Sequence, residues 1–101
     1  MLKDNLIEVK KLIEKGWTKH SFAIDENGKS VFECNPKATC FCLMGAVHAV
    51  CWHYSDKLEK IKEIQNLLFS ILGENIINWN DHPDRKKEDV LNLLDKGIAQ
   101  C

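Results

Sequence analysis

Residues 40–52 read CFCLMGAVHAVCW, thirteen positions of which only His48 is conventionally polar. A run this apolar must leave water, and it is too short to span a bilayer, which takes ~20 apolar residues. Wound as a helix it is apolar on nearly every side, the signature of a segment enclosed by others. Gly45 and Ala49 lie one turn apart, with Ala46 beside them, and side chains so small admit a neighbouring helix closely. The run therefore predicts a central, buried helix over about 38–53, entered through the Asn35-Pro36 turn.

The remaining segments supply its surroundings. Leu2, Leu6, Val9 and Ile13 form one stripe of a helix over about 2–15, with Gly16 placed as a C′ glycine. The DENGK segment, with apolar Phe22, Ile24 and Val31 around it, predicts a hairpin pairing about 20–24 with 29–33. A lone hairpin is marginal in water, so it must lie on the helices. A third helix spans about 56–72, capped by Ser55, with Leu58, Ile61, Ile64, Leu68 and Ile71 inward and Gly73 as its stop. ENIINWNDHPDRKK reads as a loop, and a last helix over about 86–99 turns Val90, Leu91, Leu94 and Ile98 inward. The expected fold is mainly α: one domain over 1–101, four helices and one short β-hairpin, with the second helix central and buried.

At 101 residues such a chain closes one core without staples. Its formal charge of −1 lacks the basic excess that nucleic-acid binding needs. The charged N-terminal stretch MLKDNLIEVKKLIEK is no signal peptide, and no segment suits a membrane. The expected setting is the cytoplasm, where the five cysteines stay reduced and act as small core residues.

Three groups of residues could carry chemistry. Cys42, near the start of the second helix, sits where free N–H groups and the helix dipole favour a thiolate. A nucleophile there needs a base. His48 is about 240° round the same helix, which leaves His20 in the hairpin or His82 in the last loop. The alternative is a buried cysteine that only packs. Cys34, Cys40, Cys42, Cys51 and His53 are soft metal ligands, but no C-x2-C or C-x4-C pair occurs, and no metal site or cofactor is expected. In the last loop, Asn78, Asn80 and Asp81 can hold an irregular turn through local bonds to the backbone. An Asp there can also cap the second helix across the fold, near Cys42. Together with Trp17 and Trp79, Asn80 and Asp81 can instead form a recognition patch, the rings giving area and the polar groups direction. No phosphate-cradling glycine loop, serine triad motif or H-E-x-x-H is present. The leading expectation is a non-enzymatic binding or interaction module for an unidentified protein or small molecule, with Trp17, Trp79, Asn80 and Asp81 as its surface. The alternative is a cysteine-dependent enzyme built on Cys42 with His20 or His82.

Three ordered blocks add a resemblance: Gly16-Trp17 followed by Asp25 and Gly28; NPKATCFCLMGA, with Pro36, Ala38, Phe41, Cys42, Gly45 and Ala46; and WNDHPDR, with Trp79, Asn80, Asp81, Pro83 and Arg85. In these the chain resembles an uncharacterised family of small bacterial and phage proteins, domain of unknown function 6197. The resemblance spans nearly the whole chain and implies an architecture but no established activity. Members often carry Ser or Thr where this chain has Lys86, as the first residue of a capping box whose acid is kept here at Asp89. Lysine cannot cap, so the last helix is expected to lean on Asp84 or fray.

Overall fold

The computed structural model describes residues 2–101, folded as five helices and a small sheet. Helix α1 (Leu2–Lys15) buries Leu6, Val9 and Ile13 completely, the stripe its spacing predicted. Gly16 follows, but its backbone is not left-handed. Its small size serves contact instead: a Cβ there would lie 2.5 Å from the Thr39 carbonyl oxygen and 2.6 Å from Cys40 Sγ.

Strands β1 (Ala23–Ile24) and β2 (Ser30–Val31) form the expected hairpin in shortened form, pairing Ala23 with Val31 and Ile24 with Ser30. Asp25 Oδ1 accepts from the N–H groups of Asn27 and Lys29 at 2.9 and 3.0 Å, and Gly28 takes φ of 80° to close the turn. A third strand, β3 (Cys40–Phe41), pairs antiparallel with the other edge of β1, giving the order β2-β1-β3. This strand corrects the expected helix over 38–53. Phe41 N–H donates to Gly16 O at 3.0 Å, and its carbonyl accepts from Thr18 N–H at 3.1 Å. With backbone groups committed on both sides, Cys40 and Phe41 cannot join a helix, and the hairpin gains the third strand that a two-stranded ribbon needs.

Helix α2 is therefore Leu43–Cys51, nine residues. Leu43, Ala46, Val47 and Cys51 are fully enclosed by α1, β3 and the later helices. The helix is not apolar-packed all round, because His48, Ala49 and Val50 form a half-open side. Helix α1 shares the centre with it, packing on α2, β3 and the two long C-terminal helices. Helix α3 (Lys57–Leu72) buries Ile61, Ile64 and Leu68. Leu58, expected inward, is 73% exposed, although Lys57 and Lys60 on either side of it are half-buried. Asp56 rather than Ser55 precedes the helix, without a side-chain capping bond, and Gly73 ends it at φ of 71°.

The stretch expected to be a loop contains a fourth helix, α4 (Ile76–Asp81). Asn75 caps it, its Oδ1 accepting Asn78 N–H at 3.0 Å, and Ile76, Trp79 and Asn80 face inward. Pro83 then excludes helical geometry at His82, which is extended. Helix α5 (Lys87–Ala99) buries Val90, Leu93, Leu94 and Gly97, while Leu91 and Ile98 are only half-buried. Asp89 Oδ2 accepts Lys86 N–H at 2.9 Å. That is the acid half of a capping box; the Lys86 ammonium has no lone pair to return the bond, and Asp84 has no part in it. No helix among the described residues is long and apolar enough to cross a membrane.

Candidate functional site

The expected site residues divide into a buried support and a small open cleft. Cys42 is the N-cap of α2, with Sγ accepting Gly45 N–H at 3.2 Å. Its own N–H donates to Phe22 O at 3.1 Å, which lays residues 20–22 across the first turn of α2. Gly45 is small for that reason: a Cβ would fall 1.9 Å from Phe22 O. The close neighbour is thus a strand-leading segment, not the helix its spacing suggested.

Helix α4 brings Asn80 against the same end of α2. Asn80 is 1% exposed and uses its whole amide. Oδ1 accepts from Trp17 Nε1 at 2.7 Å and from the Leu43 N–H at 3.0 Å. Nδ2 donates to Thr18 O at 3.2 Å and to Asp81 Oδ1 at 3.0 Å. Asn80, rather than an aspartate, is therefore the cross-fold cap of α2. Asp81 Oδ1 also accepts His20 N–H at 3.0 Å, and Asp81 Oδ2 lies 3.7 Å from His20 Nδ1. His20 takes φ of 68°, a left-handed conformation that costs a non-glycine residue about 1–3 kcal/mol. Lys19 holds the segment down by donating to His82 O at 2.7 Å and Pro83 O at 3.2 Å.

Between these elements lies a cleft of about 160 Å³ lined by His20, Ser21, Phe22, Cys42, Ile77 and Asp81. Phe22 and Ile77 are exposed at its apolar rim, and Phe22 stacks on His48 with ring centroids 5.6 Å apart. Behind that ring, His48 Nδ1 lies 2.9 Å from the carboxylate of Glu33, which is itself buried. Burial pushes the Cys42 thiol above the ordinary thiol range. The bond from Gly45 N–H pulls the other way, the Asp81 carboxylate raises it again, and Met44 N–H and Glu33 contribute less. With Cys42 5% exposed, desolvation and two carboxylates act against the thiolate that the amides of the helix end favour, in line with the reading of Cys42 as a packing residue.

Of the expected residues, the cleft gathers Cys42, His20 and Asp81. His82 is not among its lining residues; its Nδ1 accepts Asp84 N–H at 3.1 Å. Trp79 is 8% exposed, with the Arg85 guanidinium 4.0 Å from its ring centroid, and Trp17 is half-buried with its N–H committed to Asn80. The rings therefore do not form the open patch imagined from the sequence. Ser21, Phe22 and Ile77 complete the lining without a signal in the sequence, Ile77 being an apolar residue one position into a six-residue helix. Among the described residues no three metal-ligating side chains converge. A model described as "Family of unknown function (DUF6197)" matches residues 2–100. No curated protein and no solved structure matches the chain.

Proposed function

The chain belongs to the DUF6197 family, whose function is unknown, and we propose from its own geometry that it is a small binding module whose site is the cleft at the start of α2. One observation carries this reading. Asp81 Oδ1 is fully engaged, whereas Oδ2 faces a 3.7 Å contact to an exposed histidine at the edge of an apolar-rimmed cleft. A carboxylate oxygen with unused lone pairs beside Phe22 and Ile77 suits a compact cation on a short apolar stem, such as an alkylammonium or guanidinium group. The cleft holds a group of that size rather than a cofactor, whose pockets run to roughly 300–1,000 Å³. Trp17, Trp79 and Asn80 then act as the frame that fixes Asp81, not as the contact surface.

Titration of the 15N-labelled protein with n-butylammonium, butyrate and n-butanol tests the reading. Saturable shifts at Ser21, Cys42 and Asp81 with the ammonium alone, lost in Asp81→Asn, support it. Equal response to butyrate, or no response in the cleft, removes it.

A cysteine-dependent enzyme is the second reading, favoured by the meeting of Cys42, His20 and Asp81 in one cleft. His20 would take the thiol proton before attack on an electrophilic carbon. The thiol raised by burial weighs against it, while the Gly45 N–H on its sulfur favours the thiolate. Alkylation rates against pH separate the two: a Cys42 that reacts faster than a model thiol at neutral pH favours the enzyme.

A further inference from the structure

A larger cavity lies on another face, where no residue of the cleft above takes part. It measures about 510 Å³ and lies between one side of α1 and the half-open side of α2 with the turn that follows. Asn5, on its α1 wall, is 3% exposed. Its Oδ1 accepts the Tyr54 hydroxyl at 3.1 Å, while Nδ2 is buried with no hydrogen-bond partner. Burying an amide donor unmatched is costly, and native folds rarely leave one so. Turning the amide over would put Nδ2 on the Tyr54 oxygen and leave Oδ1 unmatched instead, so one amide atom lacks a partner in either orientation.

The rest of the cavity says what the missing partner is. Leu12 and Val50 give it apolar wall, and the size falls within that of small-molecule sites, roughly 300–1,000 Å³. Lys11 and Lys15 line it too, against a single acid, Glu8, which lies 3.4 Å from Lys11. Lys15 has no ion pair among the described residues, and His53, its ring tilted 31° against that of Tyr54, adds a further nitrogen at the edge. Two lysines against one glutamate favour an anion, and Asn5 Nδ2, closed off from water in this conformation, gains its missing acceptor when the wall opens to admit an anion's oxygen. We infer that this cavity between α1 and α2 binds a small organic carboxylate: Asn5 donates to an oxygen, Leu12 and Val50 take the carbon skeleton, and Lys11 and Lys15 supply the positive field.

Benzoate, benzyl alcohol and benzylammonium are the probes, and the Asn5 side-chain amide pair in the 15N-labelled protein is the reporter. Benzoate is expected to shift that pair together with the Leu12 and Val50 amides, saturably, and to bind more tightly than either analogue. Lys15→Ser, at an exposed position that spares the core, weakens benzoate about two- to fivefold, the size of one exposed charge contact. Asn5→Leu removes the unmatched amide and abolishes the shift at Leu12 and Val50. The inference is overturned if benzoate leaves the Asn5 pair unmoved, if the three probes bind alike, or if Lys15→Ser or a folded Asn5→Leu binds benzoate as the unaltered chain does.

Discussion

Replacing Asn80 with alanine is expected to cost far more than removing a surface asparagine. The side chain is 1% exposed and joins four partners drawn from three parts of the chain. Its removal strands the Leu43 N–H, the first amide of α2, in a buried place, at about 1–3 kcal/mol. The Trp17 N–H and Thr18 carbonyl are half-buried and partly recover water, adding ~1 kcal/mol together, and the small cavity adds a similar amount. The sum is about 3–5 kcal/mol, a large part of the ~5–15 kcal/mol that holds a domain of this size. At ~4–8 °C per kcal/mol, Tm should fall by roughly 12–40 °C. Urea unfolding followed by far-ultraviolet circular dichroism measures it. A double-mutant cycle with Trp17→Phe isolates the 2.7 Å bond and should return a coupling of about 1 kcal/mol. An Asn80→Ala loss below ~1 kcal/mol would refute the reasoning, since Asn80 would then not be the cap of α2.

Gly45→Ala sets a methyl against the Phe22 backbone at 1.9 Å, so residues 20–22 must shift; a loss of at least about 1–3 kcal/mol is expected in the same unfolding assay. Lys86→Ser supplies the missing oxygen at an extended N-cap whose acid partner is already in place, and should raise stability by about 0.5–1 kcal/mol in thermal unfolding. Burial raises the thiols of Cys34, Cys42 and Cys51, so the folded chain keeps protons that the unfolded chain releases near pH ~8.5. Their contribution is complete below that pH and declines above it; urea midpoints from pH 7 to 10 should fall, and less steeply in Cys42→Ala. Exposed Cys101 should react with iodoacetamide before Cys42 or Cys51, as peptide mapping after brief labelling would show.

The periodicity of Leu6, Val9 and Ile13 and of Ile61, Ile64 and Leu68 was enough to locate α1 and α3, because amphipathic spacing is a local property that burial simply reads out. The DENGK turn and the Gly73 stop were likewise local, each needing a positive φ that glycine supplies. Long-range pairing decided the rest. Cys40 and Phe41 look helical by hydropathy and are strand because β1 and Gly16 claim their backbone. Six residues of α4 are too few for a period, and their helix exists because Asn75 caps it and Trp79 and Asn80 have a core to enter. The candidate residues Cys42, His20 and Asp81 were visible as residue types, but their sharing of a cleft follows from α4 and the segment before β1 meeting at the start of α2. The sequence by itself determined which faces must be buried; only the tertiary structure decided which polar groups lost their water, and with it that burial raises the Cys42 thiol and that Asn80 caps α2.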